Sequence, residues 1–257
     1  MRADDDLVFR SLPICEAHWL GRIAYQRGVE LQNETAAELL VGKRHPALLL
    51  MEHPHTYTFG RGGHPENLLL SQEELAARGI GVYFVDRGGD VTYHGPGQLV
   101  GYPILRLPRG DEAGGTTLIF NSVGYLRKLE DALILALARL GLRAGRRDRL
   151  TGVWVEGEDN PRRVGPDSAS PFSSAKIASI GVRVDSSGIT RHGFALNVAP
   201  EQSYWKGIVP CGLEGVVMTS LAELLNPCPS METVAEQVVK AFGEVLGFEM
   251  RWALPLR

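Results

Sequence analysis

The stretch Arg87-Gly-Gly-Asp-Val-Thr-Tyr-His-Gly-Pro-Gly-Gln98 joins two glycine-rich turns through a short apolar and aromatic segment. A valine- and aromatic-rich segment, residues 81–86, precedes it, and an apolar run, residues 99–105, follows it. Since β-branched and aromatic residues favour strands, this order predicts a strand, a glycine loop, a second strand at residues 91–94, a tight turn and a third strand. Glycine lets the backbone approach a ligand closely. The stretch therefore predicts a binding loop within a sheet.

Periodicity places further elements on both sides of that stretch. Strands are predicted at Ala47–Glu52 and at residues 153–155, 177–184 and 189–198, the last two joined by a hairpin turn at Ser186-Ser-Gly188. Helices are predicted at residues 16–41, 126–140, 220–225 and 231–246, the last capped by Ser230, and Ser71-Gln-Glu-Glu74 predicts a capping box that opens a short helix ending near Gly79. This order predicts a single α/β domain over residues 1–257, a mixed sheet flanked by helices. Residues 156–174, rich in Gly, Pro and Ser, predict a flexible loop.

Composition limits the classes of partner. The chain has 257 residues and a net charge of −3, so no general attraction to nucleic acid or to an anionic membrane is expected. It contains no apolar run of the roughly 20 residues that span a bilayer, and its acidic start lacks a signal-peptide core. Three cysteines are too few for a disulfide framework. We therefore expect a cytoplasmic protein.

Cys211, in Pro210-Cys-Gly212, is a candidate nucleophile. A free thiol has a pKa of about 8.5, so it needs a neighbouring cation or base to react at neutral pH. Lys176, in the otherwise apolar Lys176-Ile-Ala-Ser-Ile-Gly181, could stabilise the thiolate as an ammonium or accept the proton as an amine. Taken singly, the two residues also fit a buried structural cysteine and a solvent-facing lysine at a strand end. With the glycine-rich stretch, they suggest covalent acyl transfer.

Residues 21–225 resemble a known family, the lipoyl(octanoyl) transferases. The resemblance is strongest in the block of residues 87–104. It continues, in the family's order, in Leu50-Met-Glu-His-Pro54, Tyr57-Thr-Phe-Gly-Arg61, Pro65-Glu-Asn-Leu68, Gly152-Val-Trp-Val155, Lys176-Ile-Ala-Ser-Ile-Gly-Val182, His192-Gly-Phe-Ala-Leu-Asn-Val198 and Ile208-Val-Pro-Cys-Gly-Leu213. It implies the fold shared by biotin and lipoate protein ligases.

The resemblance also implies an activity. Octanoyl would pass from octanoyl-acyl carrier protein to Cys211, with Lys176 as its catalytic partner. It would then pass to a lysine ε-amine on a lipoyl domain, in 2-oxoacid dehydrogenase complexes or the glycine cleavage H protein. The substrate-binding residues would be Arg87, Gly88, Gly89, Asp90, Val91, Thr92, Tyr93, His94, Ser179, Ile180, Gly181, Gly193, Phe194 and Ala195. The resemblance implies no cofactor, and we expect a monomer.

Two other functions fit parts of the pattern. An ATP-dependent lipoate or biotin ligase of the same fold forms an acyl-adenylate and needs no cysteine, so Cys211 argues against it. A binding module that has lost catalysis would not need both Cys211 and Lys176. His53-Pro-His55 and His64 raise the question of zinc, but no matching Cys/His pair accompanies them, so we expect no metal.

The remaining polar residues of note have simpler interpretations. We expect His94 and His192 to contact the thioester as polar groups, and we expect Cys15 and Cys228 to be structural. Asp90 occupies a position where the family more often has glutamine or another neutral or basic residue. Its carboxylate could alter the affinity for the carrier protein, or it could simply face solvent.

Overall fold

The computed structural model describes residues 11–108, 122–156 and 174–253. Its strands are β1 (Ile14–Arg22), β2 (Ala47–Glu52), β3 (Thr56–Phe59), β4 (Gly81–Phe84), β5 (Val91–His94), β6 (Gln98–Ile104), β7 (Gly145–Arg147), β8 (Leu150–Glu156), β9 (Ser174–Val184), β10 (Thr190–Asn197), β11 (Val217–Met218) and β12 (Glu249–Trp252). Its helices are α1 (Tyr25–Leu40), α2 (Gln72–Ala77), α3 (Ser122–Arg139), α4 (Leu221–Leu224) and α5 (Met231–Leu246). Short 3-10 turns lie at Pro65–Asn67, Gln202–Gly207 and Pro210–Gly212.

The strands form two sheets. The larger has the order β12-β1-β2-β6-β10-β9-β8-β7, with β11 added beside β9, and the smaller has the order β4-β3-β5. In the larger sheet β1 runs parallel to both of its neighbours, whereas the steps from β2 through β6, β10, β9 and β8 to β7 are antiparallel. The predicted fold class, a mixed sheet flanked by helices, is confirmed.

Alternating side chains of β2 show how the larger sheet is covered. Leu48 and Leu50 belong to the apolar cluster that includes residues of α3 and α5. Leu49 and Met51 belong to a second cluster, shared with α1. Because successive side chains of a strand point to opposite faces, the sheet separates α1 from α3 and α5.

The predicted helix over residues 16–41 is wrong in its first part. Residues 16–22 belong to β1, and the helix begins only at Tyr25. Leu20, Ile23 and Ala24 have helical spacing, which obscured the alternation of the small buried residues Cys15 and Ala17. The segment lies between two strands that satisfy its backbone hydrogen bonds on both sides, and this pairing decides its conformation.

The other predicted elements within the described residues are confirmed. Ser71 forms the capping box of α2, Ser230 accepts the backbone N–H of Thr233, and β9 and β10 form the predicted hairpin. The turn at residues 95–97 carries the chain from the smaller sheet into the larger one. Residues 157–173 of the predicted loop lie outside the described residues, and the single domain over residues 1–257 stays a prediction. None of the helices in the described ranges is both long and apolar enough to cross a membrane.

Candidate active site

A cavity of about 580 Å³ is lined by the glycine-rich loop before β5 and by residues of β5, β9 and β10. It brings together segments that are far apart in the chain. The predicted site residues that line it are Arg87, Gly88, Gly89, Asp90, Thr92, His94, Lys176, Ser179, Ile180, Gly181, Gly193, Phe194, Ala195 and Cys211.

Val91 and Tyr93, which were also predicted to line the acyl slot, do not line this cavity. Both are buried in the apolar cluster of the smaller sheet. Thr92 and His94 do line the cavity, because alternate side chains of β5 point to opposite faces. Their part in substrate binding stays a prediction, and it treated a strand as if all its side chains faced one way.

Cys211 and Lys176 lie side by side. The Nζ atom of Lys176 is 3.3 Å from the Sγ atom of Cys211. Lys176 is almost fully buried, whereas Cys211 is partly exposed in the turn Pro210–Gly212. Strand β11, which follows this turn, pairs with β9 so that Met218 lies opposite Lys176. This pairing holds the turn against the strand that carries the lysine.

The side chain of Lys176 rests on the first part of β8. A Cβ atom added to Gly152 would lie 2.5 Å from Cε and 3.2 Å from Nζ of Lys176. The ammonium also lies 5.4 Å from the ring centroid of Trp154, within reach of a cation–π interaction. Gly152 in turn donates its backbone N–H to Glu130, a fully buried carboxylate on α3, over 3.0 Å. These contacts fix where the amine lies.

Arg87 contributes a buried positive charge beside the cavity. Its guanidinium donates to the carbonyl oxygen of Thr58 over 2.5 Å, to the Thr58 hydroxyl over 3.0 Å and to the carbonyl oxygen of Gly88 over 3.0 Å. Burial lowers its pKa, while the nearby Tyr25, Cys211, Tyr102 and Asp90 raise it. The guanidinium therefore ties the glycine-rich loop to β3 and adds positive potential near the sulfur.

Both predicted polar histidines line the cavity. Burial lowers the pKa of His94 to about 3, and its Nδ1 lies 2.9 Å from the Gln98 side-chain oxygen. Burial also lowers the pKa of His192, although the Asp86 carboxylate, 2.8 Å from its Nε2, opposes the shift. Both rings are therefore neutral at pH 7 and provide polar wall rather than charge.

The cavity wall on β9 and β10 combines large apolar side chains with glycines. Ile180 lies directly opposite Phe194 in the antiparallel register, so the two form a cross-strand apolar pair. The Phe194 ring lies over Gly101 of β6, where an added Cβ would come within 2.1 Å of its Cζ atom. A side chain at that position would therefore displace the ring.

Part of the cavity lining was not predicted from the sequence. The additional residues include Tyr25, Tyr102, Leu107, Leu126, Arg149, Thr151, Val182 and Leu213. Tyr102 lies in the block of residues 87–104, so that motif could have indicated that Tyr102 lines the cavity. Tyr25 and Leu126 lie on helices outside that block, and only the tertiary fold brings them to the cavity.

The other cysteines and histidines play no part in this cavity. Cys15 is buried in the main core, where burial raises its pKa to about 12. Cys228 is exposed and lies outside the cavity, and its structural role stays a prediction. Within the described residues no three His, Cys, Asp or Glu side chains are grouped so as to hold a metal ion.

Comparison with known proteins sets the class. Residues 24–243 match the family described as Lipoyl protein ligase A/B catalytic domain. An octanoyltransferase of Chloroflexus aurantiacus is 43% identical over 235 residues, covering 91% of this chain and 95% of the relative. One of Solibacter usitatus is 44% identical over 236 residues, covering 92% and 94%. Within the lipoyl protein ligase A/B class, the chain belongs to the octanoyltransferase family, as the sequence motifs predicted.

Solved structures agree on the fold. A bi-partite lipoate protein ligase from Thermoplasma acidophilum superimposes with a TM-score of 0.66 at 16% identity, covering 94% of this chain and 88% of that one. A lipoate-protein ligase A bound with ATP gives a TM-score of 0.62 at 16% identity, covering 94% and 90%. At such identities the likeness concerns the fold alone, and it confirms the predicted lipoate protein ligase fold.

Proposed function

We propose that this acyltransferase moves an octanoyl group from octanoyl-acyl carrier protein to a lysine ε-amine of a lipoyl domain, through a thioester on Cys211. The acceptors would be the lipoyl domains of 2-oxoacid dehydrogenase complexes and the glycine cleavage H protein. The observation that carries the proposal is the 3.3 Å distance between Lys176 Nζ and Cys211 Sγ at the wall of the cavity. We expect a cytoplasmic monomer that needs no cofactor.

In the first step the ammonium of Lys176 stabilises the thiolate of Cys211. The thiolate attacks the thioester carbonyl, a new carbon–sulfur bond forms, and the bond to the carrier's thiol breaks. The leaving thiolate takes the proton of Lys176, which leaves a neutral amine beside the acyl-enzyme. One thioester replaces another, so the step requires no ATP.

In the second step the ε-amine of the acceptor lysine attacks the acyl carbon. The neutral amine of Lys176 accepts a proton from the attacking nitrogen, and Cys211 leaves as a thiolate. The ammonium–thiolate pair is thereby restored. An amide is more stable than a thioester, so transfer runs towards the product.

The cavity wall supports an alkyl substrate. Ile180 and Phe194 offer apolar surface, and the glycines beside them leave room for the chain. Each buried methylene contributes roughly 0.8 kcal/mol, so six methylenes contribute on the order of 5 kcal/mol before ordering costs. Lys176, whose Nζ lies 3.3 Å from Cys211 Sγ, is the group that exchanges protons in both steps.

The test is a Cys211→Ser variant with Cys228→Ser as its matched control, because Cys228 is an exposed cysteine outside the cavity. Each protein is mixed with octanoyl-acyl carrier protein and a lipoyl domain, without ATP. Wild type and Cys228→Ser should gain one octanoyl mass on Cys211 and modify the lipoyl domain. Transfer by Cys211→Ser should be slower by at least about a thousandfold.

Two results would contradict the proposal. Transfer at the wild-type rate by Cys211→Ser would exclude the covalent thioester. A requirement for ATP would instead assign the chain to the ligases, whose solved members share this fold.

A further inference from the structure

One interpretation of the sequence has the Asp90 side chain simply facing solvent, but in the structure its carboxylate is bonded to other residues. Its Oδ1 accepts the backbone N–H of His64 over 3.0 Å and that of Val91 over 2.6 Å. Its Oδ2 accepts the side-chain amide of Asn67 over 2.5 Å. Both oxygens are thus used within the protein, and a carboxylate is the side chain that can accept at so many points.

Asn67 connects this carboxylate to the segment that carries Cys211. Its backbone carbonyl accepts the N–H of Val209 over 2.8 Å, two residues before the cysteine. Asp90 Oδ2 also lies beside the residue after the cysteine, because it occupies the space where a Cβ of Gly212 would be, 2.5 Å from that position. The carboxylate is therefore hydrogen-bonded through Asn67 to the segment before Cys211 and lies against the residue after it.

The turn needs such support because its backbone is strained. Cys211 has φ 58° and ψ 19°, in the left-handed region that residues other than glycine seldom adopt. Strained conformations persist only where the surrounding structure over-determines them. If the turn relaxed, the cysteine side chain would change direction and Sγ would leave the neighbourhood of Lys176 Nζ.

We propose that Asp90 is a positioning residue for Cys211: through Asn67 and Gly212 its carboxylate holds the strained turn so that Sγ stays beside Lys176. The inference rests on the proposed role of Cys211 as the nucleophile.

Four variants separate the position of the carboxylate from its charge. Asp90→Ala removes every acceptor. Asp90→Asn keeps an oxygen for the two backbone N–H groups, and the Asn67 amide can rotate to accept from the new amide. Asn67→Asp places two carboxylates in contact, and the double variant Asp90→Asn with Asn67→Asp restores a donor–acceptor pair. Glu66→Gln, which alters an exposed carboxylate on the same segment, is the matched control.

Formation of the octanoyl-Cys211 thioester should slow on the order of tenfold to a hundredfold in Asp90→Ala and in Asn67→Asp. Asp90→Asn should be faster than Asp90→Ala, and the double variant faster than Asn67→Asp, since their donor–acceptor pairs remain matched. Glu66→Gln should stay within about threefold of wild type. Thermal unfolding measured on each variant shows that the proteins compared are folded. If Asp90→Asn were as slow as Asp90→Ala, the carboxylate would act through its charge on the carrier protein, and the positioning role would be wrong.

A second measurement does not depend on octanoyl transfer. The rate of alkylation of Cys211 by iodoacetamide, read on its own peptide by mass spectrometry, follows the thiolate as pH is varied. In Asp90→Ala the midpoint should move to higher pH, because the sulfur has lost the neighbouring ammonium. Loss of a negative charge alone would move it to lower pH, and that result would overturn the proposal. Failure of the proposed function would appear separately, as normal transfer by Cys211→Ser.

Discussion

The absence of a side chain at Gly152 leaves the space that the Lys176 side chain occupies. Its backbone has φ 123°, a region that few other residues adopt, and the space where its Cβ would lie is already occupied. Two of the atoms that would be met belong to Lys176, and the third is the carbonyl oxygen of Ala178, 2.6 Å away. A larger residue would therefore push the amine away from Cys211.

We expect Gly152→Ala to lower octanoyl transfer on the order of a hundredfold, because a displacement of about 1 Å at the reacting groups is enough for that loss. The matched control is Gly141→Ala, which also has a positive φ but has open space around its Cβ position. Both variants should be destabilised by roughly 1 kcal/mol or more, and only Gly152→Ala should lose transfer. Equal losses of transfer in the two variants would show that backbone strain, and not contact with Lys176, is the cause.

Individual residues differed in how far the sequence could place them. Cys211 and Lys176 lie within motifs, and their adjacency followed from the resemblance. The contacts of Asp90 did not, because its partners His64 and Asn67 are more than twenty residues away, as the hydrogen bonds at separations of 26 and 23 residues show. Local pattern says nothing about such pairs.

At the scale of elements, periodicity worked where one face of a segment is strongly apolar. The helix α3 was predicted from leucines at helical spacing, and several of these are buried in the main core. It failed at β1, whose inward residues Cys15 and Ala17 are only weakly apolar. It also could not show which sheet each strand of the 87–104 block would join, because strand partners depend on the whole topology.

Helix α3 supports β8 through one buried carboxylate. Glu130 accepts from Gly152 N–H and, over 2.7 Å each, from Arg127 and Arg146. In Glu130→Gln the new amide would point donors at two guanidinium groups, so we expect a loss of about 2 kcal/mol in the free energy of unfolding. Urea unfolding of the wild type and of Glu130→Gln measures this loss.

The control for that helix is Asp131→Asn, whose carboxylate also binds Arg146 but is well exposed. Exposed ion pairs contribute at most about 1 kcal/mol, so this variant should unfold nearly as wild type does. A Glu130→Gln protein as stable as Asp131→Asn would mean that the buried carboxylate does not anchor β8.

For the whole molecule, buried neutral histidines set the response to acid. Burial lowers the pKa of His53 to about 4 and that of His94 to about 3, below the usual value of about 6.5 in an unfolded chain. The unfolded state therefore binds protons first as pH falls below 6.5. The stability associated with these rings is complete above that pH and is lost as pH decreases.

We expect the free energy of unfolding to fall by on the order of 2–3 kcal/mol per histidine between pH 7 and pH 4.5. Urea unfolding at the two pH values tests this, with His64→Gln as a control that should behave as wild type, since His64 is exposed. His53→Gln should show a smaller dependence on pH. Equal stability of the wild type at both pH values would contradict the expectation.

Strand β9 carries Lys176 near its start and the wall residues Ser179, Ile180 and Gly181 immediately after it, and it is hydrogen-bonded to β8 and β10. Three residues of strand extend about 10 Å. Lys176 and the first part of the cavity wall are therefore held at a fixed distance by one strand. Tyr25 on α1 and Tyr102 on β6 also line the cavity, so we expect substitutions there to change the preference for acyl chains without altering β9.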